Sequence, residues 1–193
     1  MIAVENPHSR PGPHSGEAEL HSYDPLRPHS HDPNPAPPSE TADFLLSLPD
    51  GSQQSVTPDD LSRLPQATVP DCYIISTGHG TSGPFAFSGV AFVDFVRHFW
   101  AGEWSEAEVI SGDGFGTRLA TDEVKGAVKR PILLAIASDS QPLRRAAGLV
   151  RLIVPSEIDD ALKQVKWIGR VNIFNAEAQG RGDAGKTEEC NGL

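Results

Sequence analysis

Leu149-Val150-Arg151-Leu152-Ile153-Val154-Pro155 and, after a polar interval, Val165-Lys166-Trp167-Ile168-Gly169-Arg170-Val171 are the stretches on which the fold turns. Both are dense in β-branched and aliphatic residues, the composition of strands. Each also sets a basic residue, Arg151 or Lys166, among apolar neighbours. Removing water from an unpaired charge is costly, so such residues either point outward from half-buried strands or meet an anionic or hydrogen-bonding partner. Both readings are open from these residues alone.

The upstream pattern supplies the rest of a domain. Order is expected to begin near Phe44-Leu45-Leu46, and Thr57-Pro58-Asp59-Asp60 predicts a short helix with Thr57 as N-cap and Pro58 in its first turn, ending at Leu64-Pro65. Val69 to Ser76 reads as a strand, and Thr77 to Pro84 as a glycine-rich loop. Phe87-Ser88-Gly89-Val90 leads into a helix with Val90, Val93, Phe95, Val96 and Phe99 on its apolar side. Ala107 to Ser111 reads as a second strand ending at a Gly112-Asp113-Gly114 turn, and Thr121 to Val128 as a short helix capped by Thr121. Pro131–Ala137, Leu149–Pro155 and Lys166–Phe174 complete the strands, with 156–162 either a loop or one helical turn.

Residues 1–40 hold five of the seven histidines and nine of the seventeen prolines but almost no aliphatic side chains. Such a segment buries too little apolar area to offset its ordering entropy, so it is expected to be a disordered tail. Its histidines, His8, His14, His21, His29 and His31, are scattered irregularly and read as a solvated linker before they read as a metal tract. Residues 41–176 form the expected domain, and 177–193, rich in Gly, Glu, Asp and Lys, a second disordered tail. The formal charge of −10 argues against nucleic-acid and anionic-membrane partners, which select for basic surfaces. No run approaches the roughly 20 apolar residues of a membrane span, and the N-terminus lacks a secretory pattern. The expected location is the cytoplasm. Cys72 and Cys190, the two cysteines, are poorly placed for a structural disulfide.

The order Ser76-Thr77-Gly78-His79, Phe87-Ser88-Gly89-Val90, Ser111-Gly112-Asp113-Gly114-Phe115, then Gly148-x-x-Arg151-Leu-x-Val-Pro155 and Val165-Lys166-Trp167-Ile168-Gly169-Arg170-Val171 resembles the molybdopterin-binding domain of the sulfite oxidase family. The resemblance covers roughly residues 44–175. It implies an α+β fold, a single domain with a mixed β-sheet and short helices. It also implies a molybdenum cofactor, a small-molecule substrate to or from which an oxygen atom moves, and a redox partner protein as a compatible partner.

Residue roles follow from the resemblance alone. Arg151 and Lys166 match positions that contact the pterin and its phosphate, and an arginine fork suits such a group. Lys163 and Gln164 fall beside the same strand end, and Asp113 matches an aspartate near the pterin, where a carboxylate accepts ring N–H donors. Gly78 and His79 follow the metal-facing position, His79 standing where an asparagine is usual. That position holds Ser76 in place of the family's metal-binding cysteine, and Ala147 stands where a histidine is usual. Cys72 lies four residues upstream, about 13 Å along an extended strand, and reaches the site only through a change of register. A hydroxyl is a harder and less acidic ligand than a thiolate, so the identity of the metal ligand stays open.

Gly112-Asp113-Gly114-Phe115-Gly116 is only part of a dinucleotide fingerprint, and Gly80-Thr81-Ser82-Gly83 is one residue short of a nucleophile elbow. Two functions remain: a molybdopterin-dependent oxidoreductase whose cofactor is intact, or a non-catalytic descendant of the fold, its cofactor lost, that serves as a ligand-binding or protein-interaction module.

Overall fold

The computed structural model describes residues 40–76, 80–155 and 163–175. The tails expected over 1–40 and 177–193, the sites expected at Gly78 and His79, and the 156–162 interval lie outside the described residues, Glu40 excepted.

Among the described residues, ten strands form two sheets. The first has the order β2 (Gln53–Val56), β1 (Phe44–Ser47), β10 (Ile168–Phe174), β5 (Glu106–Ser111), β6 (Gly116–Ala120). Its β1–β10 pair is parallel, with Leu45 opposite Arg170, and its other pairs are antiparallel. The second, antiparallel throughout, runs β3 (Gln66–Ser76), β4 (Gly80–Ala91), β7 (Leu133–Ser138). On the other side of β7 two short strands share one edge: β8 (Gln141–Pro142) pairs with Ala137 and Ser138, β9 (Arg151–Ile153) with Leu133 to Ala135. A mixed sheet with short helices is thus present, alongside a second sheet.

The main core joins one face of both sheets. Phe44, Leu46, Val109, Leu134, Leu152, Val171 and Ile173 are buried in it, with Phe92, Phe95 and Val96 of helix α2 (Phe92–Phe99) packed on them. Those three helical residues recur at the spacing of one helix face, and each fully buried side chain of this size contributes about 1.5–3 kcal/mol. The period of two along β7 sends Leu133 and Ala135 the other way, into a smaller cluster with Val69, Cys72, Phe87 and Ile153.

Several local expectations are corrected. Helix α1 (Pro58–Ser62) starts as the sequence predicts, with a reciprocal capping box between Thr57 and Asp60. The glycine-rich loop is shorter than expected, because β4 already begins at Gly80, and Phe87 to Ala91 continue that strand. Their cross-strand pairing with β3 and β7 overrides the helical spacing seen from Val90 onward. Helix α3 spans Thr121–Gly126, and Thr121 is no cap: its hydroxyl donates to the buried Trp104 carbonyl at 2.6 Å. Strands β1, β2, β6 and β8 went unread, being short and polar or lying close to turns.

Candidate functional site

Arg151 follows the bend at Gly148-Leu149 that opens β9, and the segment 163–168 runs back beside it. Leu152 and Val165 form an antiparallel bridge, Trp167 N–H donates to Gly148 O at 2.8 Å, and Ile168 N–H to Val150 O at 3.3 Å. With Leu152 opposite Val165, strand alternation sets Arg151 abreast of Lys166 and Ile153 abreast of Gln164. Gly148 forms the floor. At φ 106° it occupies the left-handed region that glycine adopts freely, and a Cβ there would stand 3.0 Å from both Arg151 Cγ and Lys166 Cβ.

The electrostatics of this group are unusual. Arg151 is 7% exposed, yet no carboxylate is paired with it among the described residues. Its guanidinium lies 5.5 Å from the centre of the Phe87 ring, and one Nη donates to Ala147 O over a long 3.5 Å. Its Nε finds no hydrogen-bond partner among the described residues, nor does Oε1 of Gln164, itself 9% exposed. Burial lowers the Arg151 pKa to about 10. Partial burial of the Lys166 stem, and then the adjoining Arg151 charge, lower the lysine as well, although its side chain reaches the surface. Two cations side by side with orphaned polar atoms are an arrangement that can receive an anion with hydrogen-bonding edges.

The remaining expected residues divide. Asp113 sits in the exposed β5–β6 turn, where its carboxylate accepts from Phe115 N–H at 3.1 Å, as a turn-forming aspartate does. The same turn is tied to the cation site, because Gly112 N–H donates to Trp167 O at 2.9 Å. Lys163 is engaged elsewhere, in a 2.6 Å ion pair with Glu123 of α3. Ser76 pairs through its backbone with Gly80 at the far end of the β3–β4 ladder, seven residues along β4 from Phe87, roughly 20 Å of extended strand. Cys72 is nearer the cations in the packing sense. It is 3% exposed and belongs to the cluster that contains Phe87. Register shifts flank it on both sides, and Asp71 beside it has φ 53°, so β3 does bulge where the cysteine stands. Burial pushes the Cys72 thiol up, opposed by the Arg130 guanidinium 3.7 Å from Sγ. No group of three or more His, Cys, Asp or Glu gathers among the described residues.

The profile of the family described as oxidoreductase molybdopterin binding domain matches residues 35–181. The chain belongs to this family. Among its solved structural neighbours, the oxidoreductase molybdopterin-binding chain is similar to the sulfane dehydrogenase SoxCD from Paracoccus pantotrophus, with TM-score 0.54 and 18% identity. The match covers 69% of this chain and 38% of the SoxCD chain, so it spans well under half of that protein's length and speaks for the fold. No curated protein matches the chain. The molybdopterin-binding domain also carries features that sequence reading passed over. Trp167, at φ 49°, binds three neighbours: its N–H reaches Gly148, its carbonyl receives Gly112, and its indole Nε1 donates to Arg145 O at 2.7 Å. Only the Gly148 signal, a glycine just before a strand, was visible beforehand.

Proposed function

We propose that the chain is a molybdopterin-dependent oxidoreductase of the sulfite oxidase type that moves an oxygen atom to or from a small substrate, in the cytoplasm and with a redox partner protein as electron carrier. The observation that carries this reading is the uncompensated pair Arg151 and Lys166 beside the orphaned Arg151 Nε and Gln164 Oε1. These residues fit the cofactor's anionic and hydrogen-bonding parts: Arg151 and Lys166 would hold its phosphate, and Gln164 would accept a ring N–H. When bound, the cofactor supplies a metal able to take up two electrons. The chain's part is to neutralise the phosphate, fix the ring by Gln164 and Asp113, and keep water from the buried Arg151.

For the metal-facing side chain, the resemblance favours Ser76, while the bulge at Cys72 and its packing on Phe87 favour the cysteine. A second function, a non-catalytic binding module, is favoured by Ser76 and Ala147 standing where the family has its cysteine and histidine. Metal and pterin analysis of protein made in a host that synthesises the cofactor separates the two functions. Equimolar molybdenum with pterin is expected, and folded protein free of both would establish the module. X-ray absorption of the loaded protein then assigns the ligand. A sulfur scatterer lost in Cys72→Ser identifies Cys72, whereas one gained only in Ser76→Cys places Ser76 at the metal.

A further inference from the structure

Along the shared edge of β7, the gap between β8 and β9 is filled by residues 143–150, and an open cleft of about 600 Å³ lies there. One wall is the β7–β8 hairpin with Asp139, Pro142 and Leu143; the other is the 145–147 turn with Arg144, Ala146 and Ala147. The volume falls in the range of small-molecule sites. Ala147 connects it to the cation site, since its carbonyl is the one that Arg151 reaches.

Both walls are tied by hydrogen bonds. Asp139 N–H donates to Ala86 O at 2.8 Å while Asp139 Oδ1 accepts from Ala86 N–H at 2.9 Å, and Leu143 N–H donates to Ile136 O at 2.8 Å. Arg144 O receives both Ala147 N–H and Leu149 N–H. Of the five non-glycine residues at positive φ among those described, four, Asp139, Ser140, Leu149 and Trp167, lie on this hairpin or on the cation site behind it. Backbone strain of this kind persists only where surrounding structure over-determines it, and it concentrates at sites of function. The polar groups of the cleft are unequally occupied. Both oxygens of Asp139 are taken, one by Ala86 N–H and the other by the Ser138 hydroxyl at 3.1 Å. Arg144 is exposed and has no ion pair among the described residues. Pro142, Leu143, Ala146 and Ala147 supply apolar surface opposite and beside it.

We propose that this cleft is the substrate subsite and that it takes an organic anion, with the acidic group on Arg144 and an apolar body against Pro142, Leu143 and Ala146, in preference to a bare inorganic oxyanion. The proposal rests on the reading that Arg151 and Lys166 hold the cofactor next door. A five-atom oxyanion on Arg144 would leave the apolar walls uncovered, whereas a ring-bearing anion buries them.

Calorimetric titration of the full chain with 4-toluenesulfonate, inorganic sulfate and pyrophosphate tests it. Toluenesulfonate is expected to bind at least about ten-fold more tightly than sulfate. Arg144→Gln, which removes a charge-assisted contact, and Ala146→Phe, which fills the cleft, are each expected to weaken it roughly ten-fold or more. Both side chains are exposed, so both variants should keep the wild-type circular dichroism. Sulfate binding as tightly as toluenesulfonate, or an Arg144→Gln variant with unchanged sulfonate affinity, overturns the proposal. So does sulfonate affinity that falls in Arg151→Gln and not in Arg144→Gln, because the anion would then sit in the cation site. Pyrophosphate reports on the cofactor reading by itself: binding indifferent to Arg151→Gln sinks that reading, whatever the sulfonate does.

Discussion

Replacing Arg151 by methionine is expected to stabilise the unliganded protein while removing its response to anions. A guanidinium whose pKa falls to about 10 on folding costs the folded state roughly 3 kcal/mol at neutral pH. Methionine keeps an unbranched stem of similar length beside Gly148 and Phe87 and carries no charge to desolvate. Against the gain stand the lost contact with the Phe87 face, about 0.5–2 kcal/mol, and the 3.5 Å bond to Ala147 O, too long to count for much. The balance is a net stabilisation of roughly 1–2 kcal/mol, in the direction found when buried ions are exchanged for apolar side chains of like volume. Pyrophosphate at ten times its Kd should add about 1.4 kcal/mol to the wild type and nothing to Arg151→Met. Urea unfolding at pH 7, with and without pyrophosphate, measures both quantities, provided the slope m is unchanged. A variant that is destabilised by more than about 1 kcal/mol, or one that keeps the full pyrophosphate response, would refute the argument that Arg151 is an uncompensated charge awaiting an anion.

Gly148→Ala should lose about 1–2 kcal/mol and most pyrophosphate affinity, since the methyl meets left-handed backbone and two site side chains at 3.0 Å; urea midpoints and calorimetry report the two losses. Thr57→Ala should lower stability by about 1 kcal/mol through the capping box and leave anion binding untouched, as a thermal melt and the same titration will show. The pH response of Arg151 has a definite sign. Its folded pKa of about 10 lies below the unfolded one, so above about pH 10 the unfolded chain binds more protons and stability from this residue rises with pH. The stability difference between Arg151→Met and wild type should therefore shrink from pH 8 to pH 11, and a constant difference in urea midpoints would contradict the assignment.

Features set by local chemistry were legible in the sequence. Thr57-Pro58-x-Asp60 carried its own helix start, and Phe95 and Val96 carried part of the buried face of α2, which Phe92 completes. The basic residues at 151 and 166 announced themselves because an apolar strand is a costly place for a charge. Features set by pairing were hidden. Nothing in Phe87-Ser88-Gly89 distinguishes a strand from a helix lead-in until β3 and β7 flank it. Lys163 looked like its neighbour Lys166, but Glu123, distant in sequence, claims it. The cleft beside Asp139 was hidden as well, because it depends on how two short strands share an edge.

That shared edge has a consequence for solubility. An unbroken strand beside β7 would end the sheet in a long row of free N–H and C=O groups, a template on which other chains could add. Here the row beside β7 is cut into pieces of two and three residues, with a proline in the first and segment 163–168 paired beside the second, and the interruption is occupied by a loop bearing Arg144 and Arg145. The break that defeats edge-to-edge aggregation is also the mouth of the cleft. Lengthening β8 toward β9 would close the pocket and make the protein stickier in one change, so selection against aggregation and selection for an open site act on the same few residues.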